Sequence, residues 1–140
     1  MQNILLLSGV LFSFSTLAAD WPQWLGPHRD GIWREDGIIE KFDGAPKLKW
    51  KVDVGGGYSG PAVADGRVFV TDRQLAQGVT NPVNKFARGR LAGSERILCL
   101  RESDGKLLWK HEYECPYQLS YPAGPRCTPT VDGERVYVLG

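Results

Sequence analysis

The chain has 140 residues, of which 24% are charged and 42% hydrophobic, and its formal net charge is +1. That near-neutral balance gives no electrostatic ground for a nucleic-acid or membrane-surface partner. Its three cysteines, Cys99, Cys115 and Cys127, match neither zinc-ribbon nor haem-attachment spacing, so no metal or c-type haem is expected from them.

The chain opens on an apolar run from Ile4 to Leu17, relieved by Ser8, Gly9, Ser13 and Ser15 and followed by Ala18 and Ala19. The run falls short of the roughly 20 residues a membrane span needs. It reads as a secretory signal peptide over 1–19, cleaved after Ala18 or Ala19. A secreted or periplasmic location follows, with no transmembrane anchor and, lacking a cysteine at the cleavage point, no lipid anchor. In such an oxidising compartment Cys115 and Cys127, which bracket one irregular segment, can close it as a disulfide. Cys99 sits inside an apolar strand, and the odd count leaves at least one thiol free or paired outside the chain.

Residues 20–45 form a Trp/Gly/Pro-rich stretch without helical or strand periodicity. Trp21, Trp24 and Trp33 carry too much apolar area to sit in water, so an ordered arm is expected, with these rings as packing residues. The remainder, 46–140, reads as strands. Pro46–Val54 is predicted to be the first, around Trp50. Tyr58–Ala64 and Arg67–Asp72 make a hairpin about Asp65-Gly66. A long loop over Arg73–Ser94 follows, then strands Glu95–Arg101 and Lys106–Tyr113 about Ser103-Asp104-Gly105. A second irregular stretch, Glu114–Arg126, leads to another hairpin beginning at Cys127. No segment has a sustained helical period.

One phrase occurs twice, Pro61-Ala-Val-Ala-Asp-Gly-Arg-Val-Phe-Val70 and Pro129-Thr-Val-Asp-Gly-Glu-Arg-Val-Tyr-Val138, each time after a tryptophan strand containing Trp50 or Trp109. A repeat that couples a hairpin to a tryptophan strand points to a stacked or radial all-β architecture. Val68-Phe69-Val70 and Ile97–Leu100 are apolar at consecutive positions. A sheet with one wet face would alternate, so these strands are expected to be covered on both faces.

The segment Cys99-Leu-Arg-Glu-Ser-Asp-Gly-Lys-Leu-Leu-Trp109 resembles the tryptophan-docking repeat of the pyrroloquinoline-quinone (PQQ) type β-propellers, the quinoprotein-like superfamily. Asp20-Trp-Pro with Gly26-Pro-x-Arg-x-Gly31 is similar to the N-terminal phrase of such proteins. The chain departs from the repeat at Cys99, Arg101 and Asp104. The resemblance implies a PQQ-like β-propeller of four-stranded antiparallel blades, with about one complete blade and parts of two others in this chain, an N-terminal fragment of a propeller. It also implies that Trp50 and Trp109 pack between blades, with Gly105 and Lys106 as further residues of the structural repeat motif.

In a four-stranded meander the two tight turns share one end and the long connections the other. The long connections carry Arg73, Lys85, Arg88 and Arg90, and then Tyr117, Tyr121 and Arg126. Arg88, Arg90, Tyr117, Tyr121 and Arg126 are therefore the expected ligand or partner face, for a protein, a small molecule or a glycan. His28 and His111 have no ligand-spaced neighbours and are read as packing or exposed. No catalytic residue and no metal ligand is assigned. The leading expectation is a non-catalytic binding or scaffold module with no assignable cofactor; the alternative is a dehydrogenase dependent on PQQ and calcium, against which the vicinal cysteine pair of many such enzymes is absent.

Overall fold

A computed structural model describes residues 19–84, 86–118 and 123–140; the expected signal peptide up to residue 18, Lys85 and Tyr121 lie outside the described residues. Among those described the fold is all-β without a helix. Strands β1 (Ala62–Ala64), β2 (Arg67–Leu75), β3 (Gly93–Arg101) and β4 (Leu107–Glu114) form a four-stranded antiparallel sheet in sequential order. Strands β5 (Thr130–Asp132) and β6 (Arg135–Tyr137) form a second, two-stranded sheet. No described helix is long and apolar enough to cross a membrane.

Turn chemistry sets the meander. Asp65 and Gly66 both take positive φ, 51° and 68°, the twist that lets a two-residue loop join twisted strands. The β3–β4 pairing slips at Cys99/Leu100, which brings Trp109 opposite Cys99. Phe69, Cys99 and Trp109 therefore share one row across β2, β3 and β4, with the Phe69 and Trp109 ring centroids 6.1 Å apart.

The consecutive apolar residues of β2 and β3 are buried on both faces of the sheet. Ala62, Ala64, Phe69 and Cys99 pack on one side against Val131 and Val136 of the second sheet. Val68, Leu98 and Leu100 pack on the other side against Trp50, Val63 and Val70. The sheet is thus sandwiched between the Trp50 segment and the β5–β6 hairpin. The arm joins these layers: Trp21 exchanges backbone hydrogen bonds with Val63 at 2.8 and 3.0 Å, and the Pro22 carbonyl accepts from Val131 at 2.8 Å.

Several expectations are corrected. Pro46–Val54 forms no strand, because no described strand lies beside it to pair with; its hold on the fold comes through the Trp50 side chain. The first long loop is shorter than read, since β2 continues to Leu75 and β3 begins at Gly93. Arg73 consequently belongs to a buried strand position and not to a loop. Of the arm tryptophans Trp21 is the most covered; Trp24 and Trp33 are 67% and 60% exposed.

Candidate functional site

Two residues of the expected tryptophan motif, Trp50 and Gly105, meet at the tight-turn end. Trp50 donates its Nε1–H to the carbonyl of Glu102 at 2.7 Å, and its ring lies against Gly105. A Cβ on Gly105 would sit 2.7 Å from Trp50 Cε3, and this glycine has φ +73°. Both the backbone conformation and the indole therefore require glycine at this position.

Two of the three departures from the repeat motif, Arg101 and Asp104, support the same turn. Arg101 and Asp104 form an ion pair at 3.0 Å, and Asp104 accepts the Lys106 backbone N–H at 2.9 Å. That bond, with the Arg101 charge, holds the Asp104 carboxyl below its ordinary range. The Lys106 side chain is exposed. Trp109, on β4, lies on the face turned toward β5 and β6, where it shares a small cleft with Phe69, Val131 and Val136.

At the opposite, long-loop end the buried strands switch from apolar to charged residues. Asp72 pairs in register with Arg96, and Arg73 with Glu95. Alternation along a strand puts the two pairs on opposite faces of the sheet. On the first face, Asp72 is 1% exposed and accepts Arg96 Nε at 2.8 Å, with further bonds from Arg96 Nη2 and the Gly55 N–H. Burial pushes the Asp72 carboxyl up, but the Arg96 and Gly55 bonds outweigh it and hold the group below the usual carboxylate range.

On the second face, the carboxylate of Glu95 is buried and accepts the hydroxyls of Tyr113 and Tyr117. Burial, followed by the bond to Glu95 and its charge, drives both phenols well above their ordinary range, so each stays a donor. Arg73 lies over the Tyr117 ring at 4.6 Å and donates from Nη2 to the Leu91 carbonyl at 2.9 Å. Its Nε is buried with no hydrogen-bond partner among the described residues. These contacts fix Tyr117 to the end of the sheet.

Beside this cluster is a hollow of about 410 Å³ between the chain leaving β4 and the chain approaching β5, lined by Cys115, Tyr117, Gln118, Arg126, Cys127 and Leu139 among others. Two residues of the expected face, Tyr117 and Arg126, meet here. The Arg126 guanidinium stands over the Tyr58 ring at 4.4 Å. Arg88 and Arg90 are exposed on the neighbouring β2–β3 connection and do not line the hollow. Cys115, Cys127 and Cys99 are all free thiols in this structure, the first two partly buried and the third fully so. No group of three or more metal-capable side chains occurs among the described residues. Calcium takes six to eight oxygen ligands, largely carboxylates; the described walls of the hollow include no Asp or Glu side chain, so its residues do not fit that ion and no chemistry is routed through it.

Sequence reasoning missed Asp72, Arg96 and Glu95. The available signal was a pair of adjacent opposite charges, Asp72-Arg73 and Glu95-Arg96, in strands that are otherwise apolar. The structure also places His28 in the arm, where it lines a hollow of about 430 Å³ with Trp21 and Trp33, while His111 is exposed on β4. No protein-family profile, curated protein or solved structure matches this chain.

Proposed function

We propose that this chain is part of a secreted or periplasmic PQQ-like β-propeller and serves as a non-catalytic binding or scaffold module whose partner meets the long-loop end. The observation that carries the architectural half is the tryptophan relation. Trp50 bonds to the β3–β4 turn and packs with Val63 and Val68 of the first hairpin's sheet, and Trp109 lines a cleft with Val131 and Val136, the matching residues of the second hairpin. A relation that recurs from one unit to the next is how stacked blades bury their faces.

The partner half rests on charge and shape. Residues 76–92 contain Lys85, Arg88 and Arg90 and no Asp or Glu, and Arg88 and Arg90 are exposed beside the hollow of Tyr117 and Arg126. An exposed basic loop next to a recess on a rigid sheet suits an acidic protein surface.

Photo-crosslinking from the exported natural protein tests the reading. A benzoylphenylalanine in place of Arg88 is expected to capture a partner, whereas the same group in place of Ser103, at the tight-turn end, is not. Capture from position 103 alone, or from neither end, would overturn the assignment of the binding face.

A further inference from the structure

Cys115 and Cys127 lie far apart in sequence for a tight turn, yet they line one hollow, and both are partly buried there. The backbone carrying Cys115 is tied to the main sheet, and that leading to Cys127 to the segment just before β1. On one side, the Cys115 N–H donates to the Gly93 carbonyl at 2.9 Å, and Tyr117 exchanges backbone bonds with Leu91 at 2.8 and 3.0 Å. On the other, the Pro125 carbonyl accepts the Tyr58 N–H at 2.8 Å, two residues before Cys127, and Pro129 just after it is fully buried. Two thiols that line a common space, each next to backbone held by hydrogen bonds, have a reduced search to make before they can pair.

The third cysteine is placed differently. Cys99 is fully buried in the interior of β3, in the row shared with Phe69 and Trp109 and against Val131 and Val136. It has no opening to the hollow's lining and none to solvent.

We infer that Cys115 and Cys127 form a reversible disulfide across the hollow and that Cys99 takes no part. The bridge fastens the end of the four-stranded sheet to the start of the second hairpin. It also fixes the two walls on which Tyr117 and Arg126 stand, since these are near sequence neighbours of the bridged cysteines. This assignment does not depend on what the hollow binds.

The oxidant is a small or protein disulfide, and the step is thiol–disulfide exchange. One cysteine, as its thiolate, attacks a sulfur of the oxidant, forming a mixed disulfide and releasing one thiolate. The other cysteine then attacks the mixed disulfide and releases the second. Two cysteine thiols are oxidised by two electrons, one disulfide is reduced to two thiols, and the two protons leave with them.

Burial and then the Glu95 charge push the Cys115 thiol up, against the opposing effect of Arg73.

The experiment uses the natural protein, oxidised with excess oxidised glutathione, alkylated without unfolding and digested with trypsin. Trypsin cuts after Lys110, Arg126 and Arg135, so the bridge must join peptide 111–126 to peptide 127–135, two hydrogens lighter than the sum of the pair. Cys99 falls in peptide 97–101 and should be alkylated only after denaturation. Treatment with dithiothreitol should make both Cys115 and Cys127 alkylable, and Cys99→Ser should leave the linked peptide intact.

A bridge that includes Cys99, full native alkylation of Cys115 and Cys127 after oxidation, or a stable glutathione adduct on either cysteine would overturn the inference. So would protection that a chelator removes with no loss of two hydrogens, which would make the pair a soft-metal site instead.

Discussion

Replacing Gly105 by alanine tests the contact that ties the Trp50 segment to the sheet. Two costs add at this position. Gly105 has φ +73°, where an L side chain loses about 1–2 kcal/mol. The new methyl would also stand 2.7 Å from Trp50 Cε3 and 3.0 Å from a methyl of Val52, a close approach that overpacking experiments put at about 1–3 kcal/mol. Gly66 provides the internal control. Its φ is nearly the same, +68°, but nothing lies within 4 Å of the added Cβ, so Gly66→Ala should carry the backbone cost alone. The expected difference between the two variants is therefore about 1–3 kcal/mol, which is the steric part. Urea unfolding of the natural polypeptide, followed by tryptophan fluorescence, reads both. In a Trp50→Ala background the larger share of the steric part should be lost, leaving the 3.0 Å approach to Val52, and Gly105→Ala should fall toward the level of Gly66→Ala. Equal costs for the two glycines in the native background, or an excess at Gly105 undiminished by Trp50→Ala, would refute the reasoning.

Arg96→Met leaves the buried Asp72 carboxylate with only the Gly55 N–H and a weak Gln74 contact, and should destabilise by about 3–5 kcal/mol, with Asp72→Asn in the same chain recovering most of it; a loss under 1 kcal/mol in urea unfolding would contradict this. Because the folded pKa of Asp72 is depressed, its contribution is complete above the ordinary Asp pKa near 4 and fades as the pH falls through the folded value, so Asp72→Asn should flatten that part of the acid-stability curve while leaving the neutral-to-alkaline part parallel; an unchanged acid limb would count against it. Residues 19–140 alone should self-associate, because β4 is an edge strand exposed along all eight residues, with Leu107, Leu108 and Trp109 among them; a monodisperse monomer in sedimentation velocity would show that the exposed strand is tolerated.

How much of this was legible beforehand depends on which interactions are local. The Asp65-Gly66 and Asp132-Gly133 hairpins follow from turn chemistry within four residues, and the buried runs at Val68–Val70 and Ile97–Leu100 follow from consecutive apolar positions. Both kinds of signal survive folding because no distant partner has to be known. The Pro46–Val54 strand failed for the converse reason: a strand exists only with a neighbour, and β-propensity around Trp50 says nothing of whether one is present. Of the expected face, Tyr117 and Arg126 line the hollow, Arg88 and Arg90 stand outside it, and Tyr121 lies outside the described residues.

Arg73 shows where composition misleads. Its charge marked it as a loop residue, yet β2 runs past it, and the strand tolerates the guanidinium because Tyr117 supplies a ring face and Leu91 a carbonyl. Glu95 opposite is held by two phenols for the same reason. Charges at consecutive buried strand positions are costly unless each finds partners, so they occur where the sheet end must be specified instead of merely covered. Here that end carries Tyr117 against the hollow, and the polar cluster is what keeps this wall of the candidate site in register with β2 and β3.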